Sequence, residues 1–196
     1  MVPTLETLRL RLRALAPADE ADLVGLDSDP EVMRYVGSPA GVKSPAETRE
    51  RARMRIREEQ RGDYEPLGFW RIEARSDGAF LGVGALIRMP DGGDVPNRGD
   101  VPNGGDVEVA YRLARSAWGQ GIATESAAAL VAHALGPLGL PRVVAVTYPA
   151  NQASQRVLDK LGFERRGVRE YKGVEATYHV LTGAAWAARA GGGSVH

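Results

Sequence analysis

Residues 107–125 join a strand pattern to a glycine turn and then to a helix pattern, an arrangement suited to holding a phosphate. Val107, Val109 and Tyr111 alternate with Glu108, Ala110 and Arg112, the two-residue period of a strand. From Ala123 onward the apolar positions fall at Ala127, Leu130, Val131 and Ala134, a helical spacing closed by Gly136 and Pro137. Between the two, Gly119 and Gly121 lack the Cβ atoms that would keep a ligand off the backbone. A turn of free N–H groups entering a helix N-terminus can hold a phosphate or pyrophosphate by backbone donors and the helix dipole. Glu108 is the lone carboxylate on an otherwise apolar stretch of strand. Further along, Asn151 and Ser154 stand three residues apart at the start of a second helical run, behind a strand pattern at 143–148 that ends on Tyr148.

Three motifs in this order resemble the GNAT N-acetyltransferase superfamily: Glu108-Val-Ala-Tyr-Arg-Leu113, Trp118-Gly-Gln-Gly-Ile-Ala-Thr-Glu125, and Asn151-Gln-Ala-Ser154 running on to Lys160-Leu-Gly-Phe163. Within that superfamily they are similar to the branch of ribosomal-protein N-terminal acetyltransferases (RimJ/RimL-like). Leu8-Arg-Leu-Arg-Leu12 and Ser28-Asp-Pro-Glu-Val-Met-Arg-Tyr35 fit the same pattern, so the resemblance spans roughly residues 5–186. It implies an α/β fold: a mixed, twisted sheet flanked by helices and splayed between the Glu108 strand and 143–148, with acetyl-CoA in the splay. It also implies acetyl transfer to a primary amine by direct attack, without a covalent enzyme intermediate. Tyr111, Arg112 and Leu113 would offer main-chain groups to the pantetheine, which lies like an added strand. Trp118, Gly119, Gln120, Gly121, Ile122, Ala123 and Thr124 would wrap the pyrophosphate, and Asn151 would touch the pantetheine. Two positions depart from the pattern. Ala110 replaces a common glycine, and Gln120 replaces a frequent lysine or arginine; Arg115 or Arg156 could restore that charge, or be plain surface arginines.

Such a reaction needs a neutral amine, a donor for the developing oxyanion and a proton for the departing thiolate. Glu108 is the candidate base, acting through water; its other reading is an ordinary outward-facing glutamate. The resemblance gives Ser154 the role of general acid or thiolate stabiliser. Locally, Asn151 reads equally as a helix cap and Ser154 as a first-turn residue. Tyr148 is a second candidate acid, or simply a strand aromatic. At neutral pH, deprotonating an α-amino group of pKa ~7.8 costs about 1 kcal/mol, whereas a lysine of pKa ~10.4 costs about 4–5. A single water-linked glutamate suits the cheaper task, which favours a protein or peptide N-terminus. A small-molecule amine, whether antibiotic or metabolite, is the alternative acceptor, and a non-catalytic acyl-CoA-binding module is the alternative of another class.

The 196 residues suit one domain, expected over 1–186, with a disordered tail at 187–196. Twenty-five basic and 25 acidic residues cancel, so no global field draws the chain to nucleic acid or membrane. The absence of cysteine removes disulfides, thiol nucleophiles and thiolate metal sites. Paired histidines or carboxylates are also missing, so no metal is expected. No leader-like or spanning apolar run is visible, which predicts a cytoplasmic protein, monomer or homodimer.

Ser44, Pro45 and Glu47 form a capping box opening the longest early helix. That helix carries Arg49, Arg51, Arg53, Arg55 and Arg57 among glutamates, either a solvated face or a basic face for an acidic partner. Strands are expected at 8–12, 69–74, 80–87, 164–171 and 176–182. Gly93-Asp-Val-Pro-Asn97 and Gly99-Asp-Val-Pro-Asn103 form a tandem repeat within 88–106, read as a loop insertion or a flap. His133 and His179 lack triad partners and read as helix surface and strand filler.

Overall fold

The computed structural model describes residues 1–36, 44–89, 105–171 and 173–192. The repeats fall outside these residues. Eight strands form one sheet: β1 (Leu5–Glu6), β2 (Leu10–Ala14), β3 (Gly68–Ala74), β4 (Phe80–Arg88), β5 (Val107–Leu113), β6 (Arg142–Thr147), β7 (Glu164–Tyr171) and β8 (Val174–Thr182). Their order across the sheet is β1-β2-β3-β4-β5-β6-β8-β7. The strand expected at 8–12 begins two residues later, at Leu10, because Thr7 N–H bonds the Leu10 carbonyl at 2.9 Å and closes a turn between β1 and β2. Every neighbouring pair is antiparallel except β5 and β6, which the helix α4 (Ile122–Leu135) connects as a parallel crossover.

The remaining helices are α1 (Glu20–Ser28), α2 (Pro30–Met33), α3 (Pro45–Arg61), α5 (Gln152–Leu161) and α6 (Gly183–Gly192). The capping box of α3 forms as the sequence predicts: Glu47 N–H bonds Ser44 Oγ at 3.3 Å, and Ser44 N–H bonds Glu47 Oε2 at 2.8 Å. Gly62, at φ +76°, ends that helix in the left-handed conformation that glycine adopts without strain. Of the tail expected to be disordered at 187–196, residues 187–192 continue α6 as far as Gly192, and 193–196 lie outside the described residues. Arg189 on that helix fastens it by donating to the Lys160 carbonyl at 2.7 Å. Alanine-rich composition and this tertiary bond outweigh the glycine run that suggested disorder.

Alternation along the strands sorts the core into two layers. Leu86 on β4 and Val107, Val109 and Leu113 on β5 pack with Ala127, Leu130, Val131 and Ala134 of α4. A Cβ at Gly84 would stand 2.8 Å from Leu130 Cδ1, so glycine there lets α4 lie close on the sheet. On the opposite face Val83 packs with Leu23 and Leu26 of α1 and with Ala52 and Ile56 of α3. The even-numbered side chains of β5 therefore share the face of α1 and α3. His133 is buried, not on the helix surface, and stands edge-on to Trp70 with ring centroids 6.0 Å apart. Burial lowers its pKa. His179 is likewise buried, 3.3 Å from Thr147 Oγ1 by its Nε2.

Candidate active site

The parallel strands β5 and β6 meet at a single register pair, Glu108 with Val144, whereas β4 and β5 pair continuously from Arg88–Val107 to Gly82–Leu113. Beyond Glu108 the two parallel strands part. Tyr111, Arg112 and Leu113 have no register partner on β6 among the described residues, so this edge of β5 faces the gap. This is the expected splay, and it opens into a cleft of about 790 Å³. Glu108, Tyr111, Arg112, Leu113, Trp118, Gly119, Gly121, Ile122, Ala123, Thr124, Asn151 and Ser154 all line that cleft. Gln120 does not: its side-chain amide turns back to the Ser116 carbonyl at 2.6 Å.

The floor of the cleft is built for an anion. Glu125 N–H is the first of α4 to find an intrahelical acceptor, Gly121 O at 3.1 Å, so the N–H groups of Ile122, Ala123 and Thr124 precede the helical ladder. Gly121 occupies the cap position at φ +77° and brings no capping side chain to cover them. A Cβ at Gly119 would meet nothing within 4 Å, which leaves the approach to the backbone clear. These residues fit a pyrophosphate held by backbone donors. Arg156 and Lys160 of α5 line the same cleft and supply positive charge where Gln120 does not; Arg115 is not among the lining residues.

The turn is held from behind. Glu125 accepts from Thr7 Oγ1 at 2.6 Å, Arg9 N at 2.9 Å and Arg9 Nε at 2.7 Å, while Arg9 Nη1 donates to the Gln120 carbonyl at 2.9 Å. Burial alone would raise the Glu125 pKa, but these donors carry it below the usual glutamate value. The clasp ties the β1–β2 turn to the phosphate loop across 116 residues of sequence.

Two hydroxyl contacts flank the splay. On one side Tyr111 Oη and Ser154 Oγ are 2.8 Å apart, joining β5 to the first turn of α5. Asn151 caps that helix, its Oδ1 accepting from Ser154 N–H at 3.2 Å, so the local cap reading holds while Asn151 still faces the cleft. Burial pushes the Tyr111 phenol up to about 12, against a smaller lowering by the Ser154 bond. On the other side the Tyr171 phenol bonds Glu108. Burial, the Glu108 charge and that bond all raise its pKa, so Tyr171 stays protonated and donates to the carboxylate. Tyr148 stands at the mouth, its ring 6.1 Å from that of Tyr35.

Glu108, Ala110 and Arg112 share the face opposite α4. Arg112 Nη1 lies 2.9 Å from Asp27 Oδ1, and Arg55 Nη1 lies 3.6 Å from Asp27 Oδ2, so two buried guanidiniums share one carboxylate of α1. Burial is the main cause that draws Arg112 down to about 10; Asp27 opposes it, while Arg55 and Arg51 reinforce it. Arg112 therefore contributes a buried cation as well as a main-chain edge. The basic run on α3 divides by face. Arg49 and Arg53 pair with Glu20 and Arg57 with Glu50, as a solvated face would, while Arg51 and Arg55 line the cleft. Sequence reasoning did not identify Asp27, Tyr171 or Arg9 as site residues, since each reaches the site only through tertiary contacts.

The chain matches the family described as an acetyltransferase (GNAT) domain over residues 9–164. It is 32% identical over 176 residues to the uncharacterized protein YkkB of Bacillus subtilis, covering 89% of this chain and 93% of that one. It is 30% identical over 173 residues to the uncharacterized N-acetyltransferase YoaA of the same organism, covering 87% and 89%. Among solved structures it is similar to RimL, a ribosomal-protein alpha-N-acetyltransferase in complex with coenzyme A, at a TM-score of 0.70 and 23% identity over 93% of this chain and 99% of that one.

Proposed function

The chain belongs to the GNAT acetyltransferase family and uses acetyl-CoA to acetylate an amine, and we propose that this amine is the N-terminal α-amine of a protein or peptide. One observation carries the reading. The cleft that holds Glu108 is about 790 Å³ and is also lined by Glu31, Tyr35, Arg51 and Arg55 of the α2 and α3 region, room beyond what a single amine needs. The chemistry agrees, since one half-buried carboxylate is matched to an α-amine that costs about 1 kcal/mol to neutralise at pH 7, not to a lysine at about 4–5. The structural likeness to RimL supports the same branch.

Acetyl-CoA supplies an activated thioester carbonyl when bound. Glu108 takes the proton of the attacking amine, directly or across one water, with Tyr171 holding the carboxylate oriented. Ser154 Oγ, oriented by Tyr111 Oη at 2.8 Å, would give its proton to the departing thiolate, and the proton taken up by Glu108 would return through water to restore the serine hydroxyl. Tyr111, Arg112 and Leu113 bind along the β5 edge, and the turn at Gly119 and Gly121 with the start of α4 binds phosphate.

The test is thiol release from acetyl-CoA with serine-, alanine- and threonine-initiated peptides, the same peptides already acetylated at their N-termini, and a panel of small amines. Turnover that depends on the free N-terminus is the expected result. Turnover on small amines alone overturns the peptide reading and leaves a metabolite or drug acetyltransferase.

A further inference from the structure

The mechanism above leaves unused the positive charge at the far end of the acceptor cleft. Arg55 is only 8% exposed, lines the cleft, and has a buried Nη1 without a hydrogen bond among the described residues, as has Asp27 Oδ1 beside it. The distance of 3.6 Å from Arg55 Nη1 to Asp27 Oδ2 makes an ion pair but is too long for a hydrogen bond. The other contact of Arg55 is the face of Phe69, 4.9 Å from the ring centroid. Arg112 shares the same aspartate, and Arg51, one helical turn from Arg55, is half-buried with no ion-pair partner among the described residues. Two guanidiniums thus share one carboxylate, and the charge of a third, Arg51, acts on both. Glu31 at the rim and Glu108 at the reacting end are the anions lining the cleft. A buried guanidinium with an unused donor is costly unless an acceptor arrives.

We propose that Arg55, with Arg51 and Arg112, binds a carboxylate on the acceptor, so that the preferred substrate is a peptide N-terminus followed by an acidic second or third residue. This rests on the peptide reading of the same site. Spacing selects the source of the carboxylate. Glu108 and Arg112 lie four residues apart on one face of β5, a Cα separation of about 13 Å at about 3.3 Å per residue. A free α-amino acid holds its amine and carboxylate across one carbon and covers little of that separation. An extended peptide advancing about 3.5 Å per residue, with an acidic side chain on its second or third residue, spans the gap that remains once the Glu and Arg side chains reach inward. A guanidinium offers a carboxylate paired donors, which favours this acceptor over a neutral amide.

The experiment compares matched peptides, Ser-Glu-Glu against Ser-Gln-Gln at the same length, together with free glutamate, in the wild-type enzyme and in Arg51→Gln, Arg51→Glu and Arg55→Lys. The expected result is a preference for the acidic peptide of about 10- to 100-fold in kcat/KM, the range of a charge-assisted hydrogen bond. That ratio falls severalfold in Arg51→Gln, which leaves Arg55 and Arg112 in place, and falls further in Arg51→Glu, where a carboxylate repels the acidic peptide. Arg51 is half-buried, so these variants report even where substitution of Arg55 prevents folding. Equal turnover of the two peptides overturns the proposal and leaves the peptide reading standing. Turnover of small amines with neither peptide active overturns both. Where no acceptor turns over, calorimetric titration of the two peptides into the CoA-loaded enzyme decides: tighter binding of the acidic peptide supports the proposal, and equal binding overturns it.

Discussion

Replacing Glu108 with glutamine separates proton transfer from binding. The side chain sits at the pair with Val144 where β5 and β6 part, on the face opposite α4, so its loss leaves the phosphate turn at Gly119 and Gly121 intact. General-base assistance is worth about 10²- to 10⁴-fold, or about 3–5 kcal/mol of barrier. For an α-amine of pKa ~7.8, about one molecule in seven is already neutral at pH 7 and more than nine in ten at pH 9. The defect of Glu108→Gln is therefore expected at about 10²- to 10³-fold in kcat/KM at pH 7. It shrinks about sevenfold by pH 9, where the amine no longer needs the carboxylate to become neutral. A lysine acceptor would behave differently, its variant rate still climbing about tenfold per pH unit to pH 10. Tyr171→Phe removes the phenol donor from the carboxylate, so the acidic limb of the pH–rate profile should move upward with a loss of about 3- to 10-fold. The assay is thiol release across pH 6–10, alongside CoA binding by calorimetry. Activity of Glu108→Gln within threefold of wild type at pH 7, with CoA binding unchanged, would refute the assignment of Glu108 as base.

Gly121→Ala places a side chain at φ +77°, a strain of about 1–2 kcal/mol, and the loop relaxes by re-aiming its N–H groups; the CoA Kd should rise about tenfold. Gly78→Ala, at φ +74° in a distant hairpin, should lose similar stability with unchanged CoA affinity, and equal Kd values for the two would contradict the cradle. Tyr111 has its folded pKa raised to about 12 from an ordinary value near 10, so its stabilising contribution is whole below about 10 and is lost as pH climbs to about 12. Thermal melts should fall across that window and flatten in Tyr111→Phe. Glu125 is shifted the other way: its contribution is present above the ordinary value of ~4.3 and disappears as pH falls through its lower folded value. Glu125→Gln should lower Tm by a few degrees at pH 7, and the gap to wild type should close below about pH 4.

Local signals carried most of the fold. The capping box at Ser44 and Glu47, the two-residue period of β5 and the helical spacing after Ala123 each depend on neighbours within a few residues, and each appears where its pattern places it. The failures have a common physical cause. The strand expected at 8–12 starts at Leu10, since the turn before it is braced by Glu125, which accepts from Thr7 and Arg9 and lies far along the chain. The helix at Gly183–Gly192 is anchored by Arg189 on the Lys160 carbonyl, again a contact without a local signature. His133 sits at a position whose burial depends on Trp70 arriving from β3.

The site divides along the same line, and the division explains which half of the chemistry a sequence exposes. Phosphate recognition uses backbone N–H groups, so its requirements are conformational: glycine where φ is positive, a helix start behind it, no capping side chain. Those are local demands, and Gly119, Gly121 and Ile122 display them in contiguous sequence. The proposed acceptor site uses side chains from α1, α3 and β5, whose meeting depends on sheet order and on helices lying across one face. Asp27, Arg55 and Arg112 are widely separated in sequence, and the cost of burying two guanidiniums against one carboxylate cannot be read from any one of the three segments. The alternating arginines of α3 did reveal a basic helix. Only the fold shows that Arg49, Arg53 and Arg57 meet glutamates outside while Arg51 and Arg55 turn inward. Asp27 offsets only part of the desolvation of Arg55, because it also faces Arg112, which is why acidic peptides are the acceptors to try first.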